Sequence, residues 1–463
     1  MSKYSRAVAE RLGVSRTDSR GKHRLAFTGL YLLTLLMYIR PQELMPELFG
    51  SLPLVKIVAI GTLLIYIVSK LSAGERVITW PLEMKMMTLM WVTGFLLMPI
   101  ALSPQDSFTV LFDPLIKALI VFIILINLVE TRARLRLLLH AMVFSELLFA
   151  LGGIKTFLTG GYGGKSFNHR IEGLGTMFAN PNDLASVLTV MLPFAVIFAL
   201  TRQGMVRLFY FVCAGVGAVA VLFTFSRSGF LALVLSLGLI VWKLSRGRRA
   251  RIWFAAVVIA GVLSMAMPGT YWVRLSTIFN PETDTTNSAQ ERREVMKRAA
   301  ELAVKRSIIG IGAGNFYIYS IKEMRAHNSY LETAAELGLV GLIAYLVLIF
   351  APMRSLRRVQ HETRPDGARP ERELHIISIC LQASFVAYII YGFFGSVQYL
   401  YFLYFNVAYV VAFRQILAAE KLADAQANVG TGALESPARP GLAKGTLWRP
   451  HRVRQLWLTD GNR

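Results

Sequence analysis

The sequence contains about twelve apolar segments, most of them separated by short polar connections. A transmembrane helix needs roughly 20 consecutive, mostly apolar residues. Several of the segments are short or share a boundary, so ten to thirteen is the expected range. The pattern predicts an all-α fold: a polytopic integral membrane protein with about 12 transmembrane helices. The segments lie at 25–39, 52–69, 84–102, 110–129, 136–158, 183–200, 206–224, 226–242, 252–268, 330–351, 375–393 and 397–413.

The lysines and arginines alternate with these segments. About two-thirds of the 50 lie in connections on one predicted side, the side of the basic N-terminus. The short connections on the other side, 40–51, 103–109 and 394–396, contain only Arg40. Because positive residues accumulate on the cytoplasmic side of membrane proteins, we expect both termini in the cytoplasm. This alternation also argues against nucleic acid as the partner that the net charge of +22 would suggest.

The chain is predicted to comprise five regions. The N-terminal apolar run lacks a small-residue cleavage site, so we expect an uncleaved first span. The C-terminal region is rich in alanine, glycine, proline and arginine and is expected to be mostly disordered. The regions are a cytoplasmic N-terminus (1–24), transmembrane helices one to nine (25–268), a large periplasmic loop (269–329), transmembrane helices ten to twelve (330–414) and a cytoplasmic tail (415–463).

The large loop contains a predicted amphipathic helix over residues 289–306. Ser288 is a candidate N-cap, and Glu291 three residues later completes a capping-box pattern. We expect this helix to lie on the outer membrane surface. Its apolar face comprises Val295, Ala299, Leu302 and Ala303.

The large loop also carries nine lysines and arginines. Long loops cross the membrane largely regardless of their charge, so this number does not contradict the predicted topology. Two explanations remain open for a cationic outer surface. It attracts anionic lipid head groups, or it forms a pocket for an anionic, lipid-linked substrate.

Arg227 is predicted to lie on the outer side, where two apolar segments meet with almost no loop between them. A charge at that depth is costly and therefore indicates a functional residue. The alternative is an interfacial arginine whose side chain reaches the head groups. We favour function because the flanking segments are otherwise apolar.

A second outer connection, 159–182, is rich in glycine and contains Arg170. Guanidinium groups bind phosphate through two hydrogen bonds and stay charged at any working pH. Asn180 and Asn182 flank a proline in the same connection and are candidate sugar or phosphate contacts. An ordinary turn and helix cap explains these two asparagines equally well.

His327 comes shortly before the tenth predicted span, on the outer side. Histidine accepts a proton near neutral pH, so this residue is a candidate general base for a hydroxyl acceptor. A structural histidine at the start of a helix is the alternative.

Some polar residues inside the predicted spans need a separate explanation. Asp113 and Lys117 are four residues apart, so we expect them to pair on one helical face. Glu146 and Lys155 have no partner that the sequence indicates, and an ion pathway is an alternative for such groups. Two further residues, Cys213 and Cys380, are expected to be small packing residues, with no disulfide or zinc site.

Four segments together resemble the bacterial O-antigen ligase and O-antigen polymerase superfamily of membrane glycosyltransferases. HRIEGLGTMFANPNDLA is similar to its Arg-x-x-Gly and Asn-Pro-Asn segment, and SRSGFLAL to its Ser-Arg-x-Gly segment. The loop helix followed by GIGAGNF, and HNSYLETAAELGLVG, resemble its arginine and histidine motifs. The resemblance covers residues 165–350, with Met296 and Ser307 departing from the usual tryptophan and proline.

The resemblance implies an enzyme that transfers glycan from undecaprenyl pyrophosphate to a hydroxyl acceptor, without a metal or other cofactor. In this family pattern Arg170, Arg227 and Arg292 hold the pyrophosphate, and His327 activates the acceptor. Asn180, Asn182 and Asn328 are further candidate substrate contacts. Arginines at the leaving group would stabilise the charge that develops there.

The implied partners are the lipid-linked glycan donor, lipid A core or another hydroxyl acceptor, and membrane lipids. The implied location is the bacterial inner membrane, with the active site on the periplasmic side. Within the superfamily, an O-antigen ligase, an O-antigen polymerase and a protein O-oligosaccharyltransferase remain alternatives. A polysaccharide or lipid transporter is the alternative of another class, although the sequence lacks the repeated broken helices typical of transporters.

Overall fold

The computed structural model describes residues 23–41, 45–50, 53–159, 180–245 and 288–434. These residues form helices and no strand, so the predicted all-α fold is confirmed for them. The helices are α1 (Arg24–Ile39), α2 (Pro46–Phe49), α3 (Leu54–Ser72), α4 (Leu82–Leu97), α5 (Pro104–Leu128), α6 (Arg132–Leu158), α7 (Pro181–Thr201), α8 (Gly204–Phe223), α9 (Arg227–Leu244), α10 (Ser288–Lys305), α11 (Phe316–Tyr319), α12 (Ser329–Thr363), α13 (Arg372–Gly392) and α14 (Tyr401–Leu434).

Within the described ranges, nine helices are long and apolar enough to cross a membrane: α3, α5 to α9, and α12 to α14. α1 is apolar but has only 16 residues. The chain is therefore a multi-pass membrane protein. Eleven of the twelve predicted segments coincide with a helix. The remaining segment, 252–268, lies outside the described residues, so the total number of spans stays a prediction.

The chain divides into two units, Met1–Ala419 and Glu420–Arg463. α14 continues to Leu434, so the start of the tail, which we expected to be disordered from 415, is helical instead. The physical reason is composition, because the segment ILAAEKLADAQ after Gln415 consists largely of strong helix formers. Residues 435–463 lie outside the described part of the chain.

The central helices pack antiparallel around α13. The Ser384 hydroxyl of α13 donates to the Val190 carbonyl of α7 (2.6 Å). The Ser236 hydroxyl of α9 donates to the Ala383 carbonyl (3.1 Å). Hydroxyl-to-carbonyl bonds of this kind satisfy polar groups between apolar helices. They fix which residues of neighbouring helices lie at the same depth.

α12 also runs antiparallel to α13. Near one end Asn328 donates to the Phe393 carbonyl (3.3 Å), and near the other Gln360 donates to the Ser378 carbonyl (3.0 Å). Between them α12 kinks at Gly338, whose φ of 66° is a left-handed conformation that favours glycine. The kink sets the direction of the first part of α12, which carries the histidine motif.

The amphipathic loop helix forms as predicted but is covered differently. α10 begins at Ser288, whose side chain is outside what the structure describes. Its apolar residues Val295, Ala299 and Leu302 are buried in a small core. That core includes side chains of the following loop and of α12, so the expected position on the membrane surface is wrong for this face. Protein, rather than lipid, buries it.

The predicted ion pair between Lys117 and Asp113 is confirmed. Cys213 and Cys380 are buried free thiols, as expected. Glu146 is fully buried, and its carboxylate has no hydrogen-bond partner among the described residues.

Candidate functional site

The register of α7, α9 and α13 brings candidate residues to one end of the bundle. Arg227 lies nine residues before Ser236, and Gly392 lies nine residues after Ala383. At about 1.5 Å per residue, both are roughly 13 Å from the bond that joins α9 to α13, in the same direction. α7 begins at this end too, because a β-carbon on Gly229 would lie 2.6 Å from the Ala185 side chain.

Asp183 and Tyr391 join α7 to α13 at this end. The Tyr391 hydroxyl donates to Asp183 Oδ1 (3.0 Å). Two arginines interact electrostatically with the pair: Arg325 with Asp183, and Arg292 with Tyr391. The loop helix and the segment before α12 therefore carry their arginines close to the ends of α7 and α13.

His327 lies in a strained turn just before α12. Its φ of 50° is a left-handed conformation that is unfavourable for a residue with a β-carbon. The His327 backbone N–H donates to Ser396 Oγ (3.1 Å), and the Ser329 hydroxyl donates to the Gly395 carbonyl (2.7 Å). Two hydrogen bonds thus join the turn to the connection between α13 and α14. Strained residues that their surroundings hold in place are typical of functional sites.

The buried carboxylate of Glu332, in the first part of α12, also supports this turn. It accepts hydrogen bonds from the Ser396 hydroxyl, the Ala326 N–H (3.0 Å) and the Gln398 amide (2.9 Å). Ser396 in turn accepts the His327 N–H. Glu332 therefore fixes the backbone on both sides of the bond between Ala326 and His327.

A second buried carboxylate, Glu336, holds the glycine-rich segment that follows α10. It accepts the Phe316 N–H (3.0 Å) and the Tyr399 hydroxyl (2.7 Å). The segment also bonds directly to the backbone of α12, through Gly312 N–H to the Glu336 carbonyl (3.0 Å). A β-carbon on Gly310 would lie 2.2 Å from that same carbonyl oxygen. Only glycine permits this close approach.

The surroundings of His327 lower the pKa of its imidazole to about 4. Burial is the largest cause, followed by the positive charges of Arg292 and Arg325. The imidazole is therefore neutral at physiological pH and has a lone pair available to accept a proton. Both arginines are therefore within electrostatic reach of His327.

Three helix N-termini lie at this end: those of α7, α9 and α12. The antiparallel register with α13 brings all three to the level of its C-terminus. A helix N-terminus carries a partial positive charge and favours anions. Arg227, Arg292 and Arg325 add positive charges at the same end. Such an arrangement suits a diphosphate.

Two of the three candidate asparagines, Asn180 and Asn328, cap helices through their side chains. Asn180 Oδ1 accepts the Asn182 N–H (2.9 Å) at the start of α7. Asn328 Oδ1 accepts the N–H groups of Tyr330 (3.1 Å) and Leu331 (3.0 Å) at the start of α12. These bonds favour the helix-cap explanation of Asn180, and they give Asn328 a capping role that we did not predict from the sequence. Contact of the three side chains with a substrate stays a prediction.

Arg170 lies outside the described residues. The motif residues Arg227, Arg292 and His327 are described, and the structure brings them to the same end of the bundle. Their chemical roles stay predictions.

Sequence reasoning missed the groups that surround and support His327. Arg325 was detectable, because it is a second cation two residues before the histidine. Ser396 and Glu332 were not, because the chain of hydrogen bonds linking them to His327 joins segments more than 60 residues apart.

One cluster of possible metal ligands occurs among the described residues: His23, Glu75 and Glu130. The Lys70 ammonium donates to Glu75 (2.8 Å) and to Glu130 (2.9 Å). A cation is thus already present between the two carboxylates. The cluster is an ion-pair network that joins α1, α3 and the turn before α6, and it contains none of the candidate site residues.

Comparison with known families identifies two matching regions. A family model described as O-antigen ligase matches residues 209–346, a range that includes Arg227, Arg292 and His327. A model described as a family of unknown function matches residues 25–205. No curated protein and no solved structure matches the chain.

Proposed function

The chain belongs to the O-antigen ligase superfamily, and we propose that it transfers a glycan from undecaprenyl pyrophosphate to a hydroxyl acceptor. The proposed acceptor is lipid A core, and the proposed location is the periplasmic face of the bacterial inner membrane. The observation that carries this proposal is the arrangement of Arg227, Arg292, Arg325 and His327 around three helix N-termini. It combines an anion-binding region with a neutral base.

In the proposed reaction the acceptor hydroxyl attacks the anomeric carbon of the donor sugar. The bond between that carbon and the pyrophosphate oxygen breaks, and undecaprenyl pyrophosphate leaves with the bonding electrons. The arginines stabilise the negative charge that develops on the leaving group. The His327 imidazole accepts the proton of the attacking hydroxyl.

The low pKa of His327 fits a base that becomes stronger when the donor binds. In the protein without donor, Arg292 and Arg325 disfavour protonation of the imidazole. A bound diphosphate brings negative charges to the same arginines and raises the pKa of His327 from about 4. The base would therefore gain proton affinity where the leaving group is bound.

Transfer by purified protein in liposomes tests the proposed function. His327→Ala is expected to slow transfer by about 10²–10⁴-fold, because it removes a general base. Arg227→Ala is expected to slow it by roughly 10²–10³-fold, because leaving-group stabilisation is lost. His361→Ala is the matched control, since His361 is an exposed residue near the other end of α12. If both variants fold and keep full transfer, the proposed roles are wrong.

The acceptor is tested by supplying lipid A core, a glycan repeat unit and a Ser/Thr-containing protein in parallel reactions. A ligase uses lipid A core, a polymerase the repeat unit and an oligosaccharyltransferase the protein. Cells that lack the gene give an independent answer. Loss of a ligase removes all capped lipopolysaccharide, whereas loss of a polymerase leaves a single repeat unit.

A further inference from the structure

A groove opens between α4, α12 and α14, away from the candidate site. Its volume is about 690 Å³, which lies within the roughly 300–1,000 Å³ typical of small-molecule pockets. α12 contributes most of the lining, and Glu83 of α4 and Arg414 of α14 complete it. None of the proposed catalytic residues lines this groove.

The position of the groove along α12 places it near the opposite membrane surface. Gln360, six residues after Arg354 on α12, donates to the Ser378 carbonyl near the start of α13. The candidate site lies at the other end of α13. Arg354, Arg357 and Arg358 are close together in this part of α12, as basic residues are at the cytoplasmic surface. Arg354 therefore lies toward the membrane surface opposite the candidate site.

The lining changes from apolar to basic along α12. Val347, Phe350 and Ala351 come first and lie deeper in the membrane. Arg354 and Arg358 follow, one helical turn apart, and lie nearer the surface. A phospholipid in that leaflet has the same order, with acyl chains deep and phosphate at the surface.

The groove has an uncompensated positive charge. Arg354 and Arg358 are exposed, and neither forms an ion pair with any residue that the structure describes. The third arginine, Arg414, is already neutralised, because it binds both carboxylate oxygens of the buried Glu83 (2.9 Å each). Two positive charges are thus available to an anionic ligand.

Other segments of this chain are poor candidates for the occupant. The two terminal segments, 1–22 and 435–463, each contain six lysines and arginines and two acidic residues. Their net positive charge would repel Arg354 and Arg358. Charge complementarity instead favours a lipid with a negative head group.

We propose that this groove binds one anionic phospholipid of the adjacent leaflet. Its phosphate contacts Arg354 and Arg358, and an acyl chain lies along Val347, Phe350 and Ala351. The proposal does not depend on glycan transfer.

Native mass spectrometry of the full-length protein in detergent tests the proposal, with phosphatidylglycerol and phosphatidylcholine as the added lipids. The wild type is expected to retain phosphatidylglycerol preferentially. The double variant Arg354→Gln/Arg358→Gln is expected to bind it about tenfold or more weakly, because two phosphate contacts are lost. Arg357→Gln is the matched control. Arg357 is exposed on the same turn but does not line the groove, and it should leave retention unchanged.

Ala351→Phe tests the acyl part without changing any charge. The larger side chain occupies the groove, so retention of phosphatidylglycerol should fall although the arginines are intact. The proposal is overturned if the double variant retains as much phosphatidylglycerol as Arg357→Gln. It is also overturned if Ala351→Phe binds the lipid normally, or if phosphatidylcholine binds as well as phosphatidylglycerol.

Discussion

The proton affinity of His327 depends on the charges nearest to it. Burial and the charges of Arg292 and Arg325 lower the pKa of the imidazole to about 4. Protonation would abolish the proposed action of His327 as a base, so we expect activity to fall on the acid side of this pKa. The two arginines that would hold the leaving group therefore also extend the working range of the base toward low pH.

Removing one of these charges should move the acid limb of the pH profile. Arg325→Gln removes a positive charge and raises the pKa of His327, so the acid limb of kcat/KM should shift to higher pH. The limb of kcat should lie above that of kcat/KM in the wild type, because bound diphosphate already raises this pKa. Initial rates of transfer measured across the acid range give both profiles. Identical acid limbs in the wild type and Arg325→Gln would show that the two residues do not interact.

The sequence indicated His327 and Arg227 as candidates because each belongs to a short motif whose chemistry can be interpreted locally. It did not indicate what holds His327 in its left-handed turn. That support comes from Ser396 and Glu332, through bonds between segments far apart in sequence. No local pattern predicts such pairs, because each partner alone resembles an ordinary polar residue near a helix end.

At the scale of elements, the loop helix illustrates what an amphipathic pattern does and does not determine. The spacing of Val295, Ala299 and Leu302 correctly predicted which face of α10 is apolar. It did not predict what covers that face, because burial against lipid and burial against protein both require the same apolar residues at the same spacing. In the structure the following loop and α12 cover it, and this packing brings Arg292 near His327.

The contact between the glycine-rich segment and α12 should be sensitive to one added methyl group. Gly310→Ala would bring a β-carbon to 2.2 Å from the Glu336 carbonyl oxygen. We expect a loss of about 1–3 kcal/mol in stability, because backbone must shift to relieve the overlap. Gly215→Ala is the control, since nothing lies within 4 Å of its β-carbon position. Thermal melting in detergent measures both, and equal melting temperatures would contradict the tight contact.

At the scale of the whole molecule, hydropathy predicted the positions of the described spans well. In the membrane each apolar run must form the hydrogen bonds of its backbone N–H and C=O groups within itself, and a helix long enough to span the bilayer does so. The end of the last helix was less predictable. Beyond Arg414 the helix continues through residues of high helix propensity rather than through an apolar run. Hydropathy therefore does not predict where the helix ends.

The predicted sidedness has a direct test with introduced cysteines. Phe394→Cys, near the C-terminus of α13, should react in intact cells with a thiol reagent that cannot cross the membrane. Asp366→Cys, between α12 and α13 near the other end, should react only after lysis, because basic connections stay in the cytoplasm. The two native thiols are buried and should contribute little background. Labelling of Asp366→Cys in intact cells would reverse the proposed topology.

The central claim is that arginines from separate helices act together on one diphosphate next to His327. The most direct measurement is the transfer rate of Arg227→Gln, Arg292→Gln and the double variant, with Arg293→Gln as control. Arg293 is the exposed neighbour of Arg292 on α10. Each single variant should be slow and the control normal. The double variant should be slowed by less than the product of the single effects, because residues that act as a unit are non-additive. Multiplicative effects, or an equal effect of Arg293→Gln, would contradict a shared site.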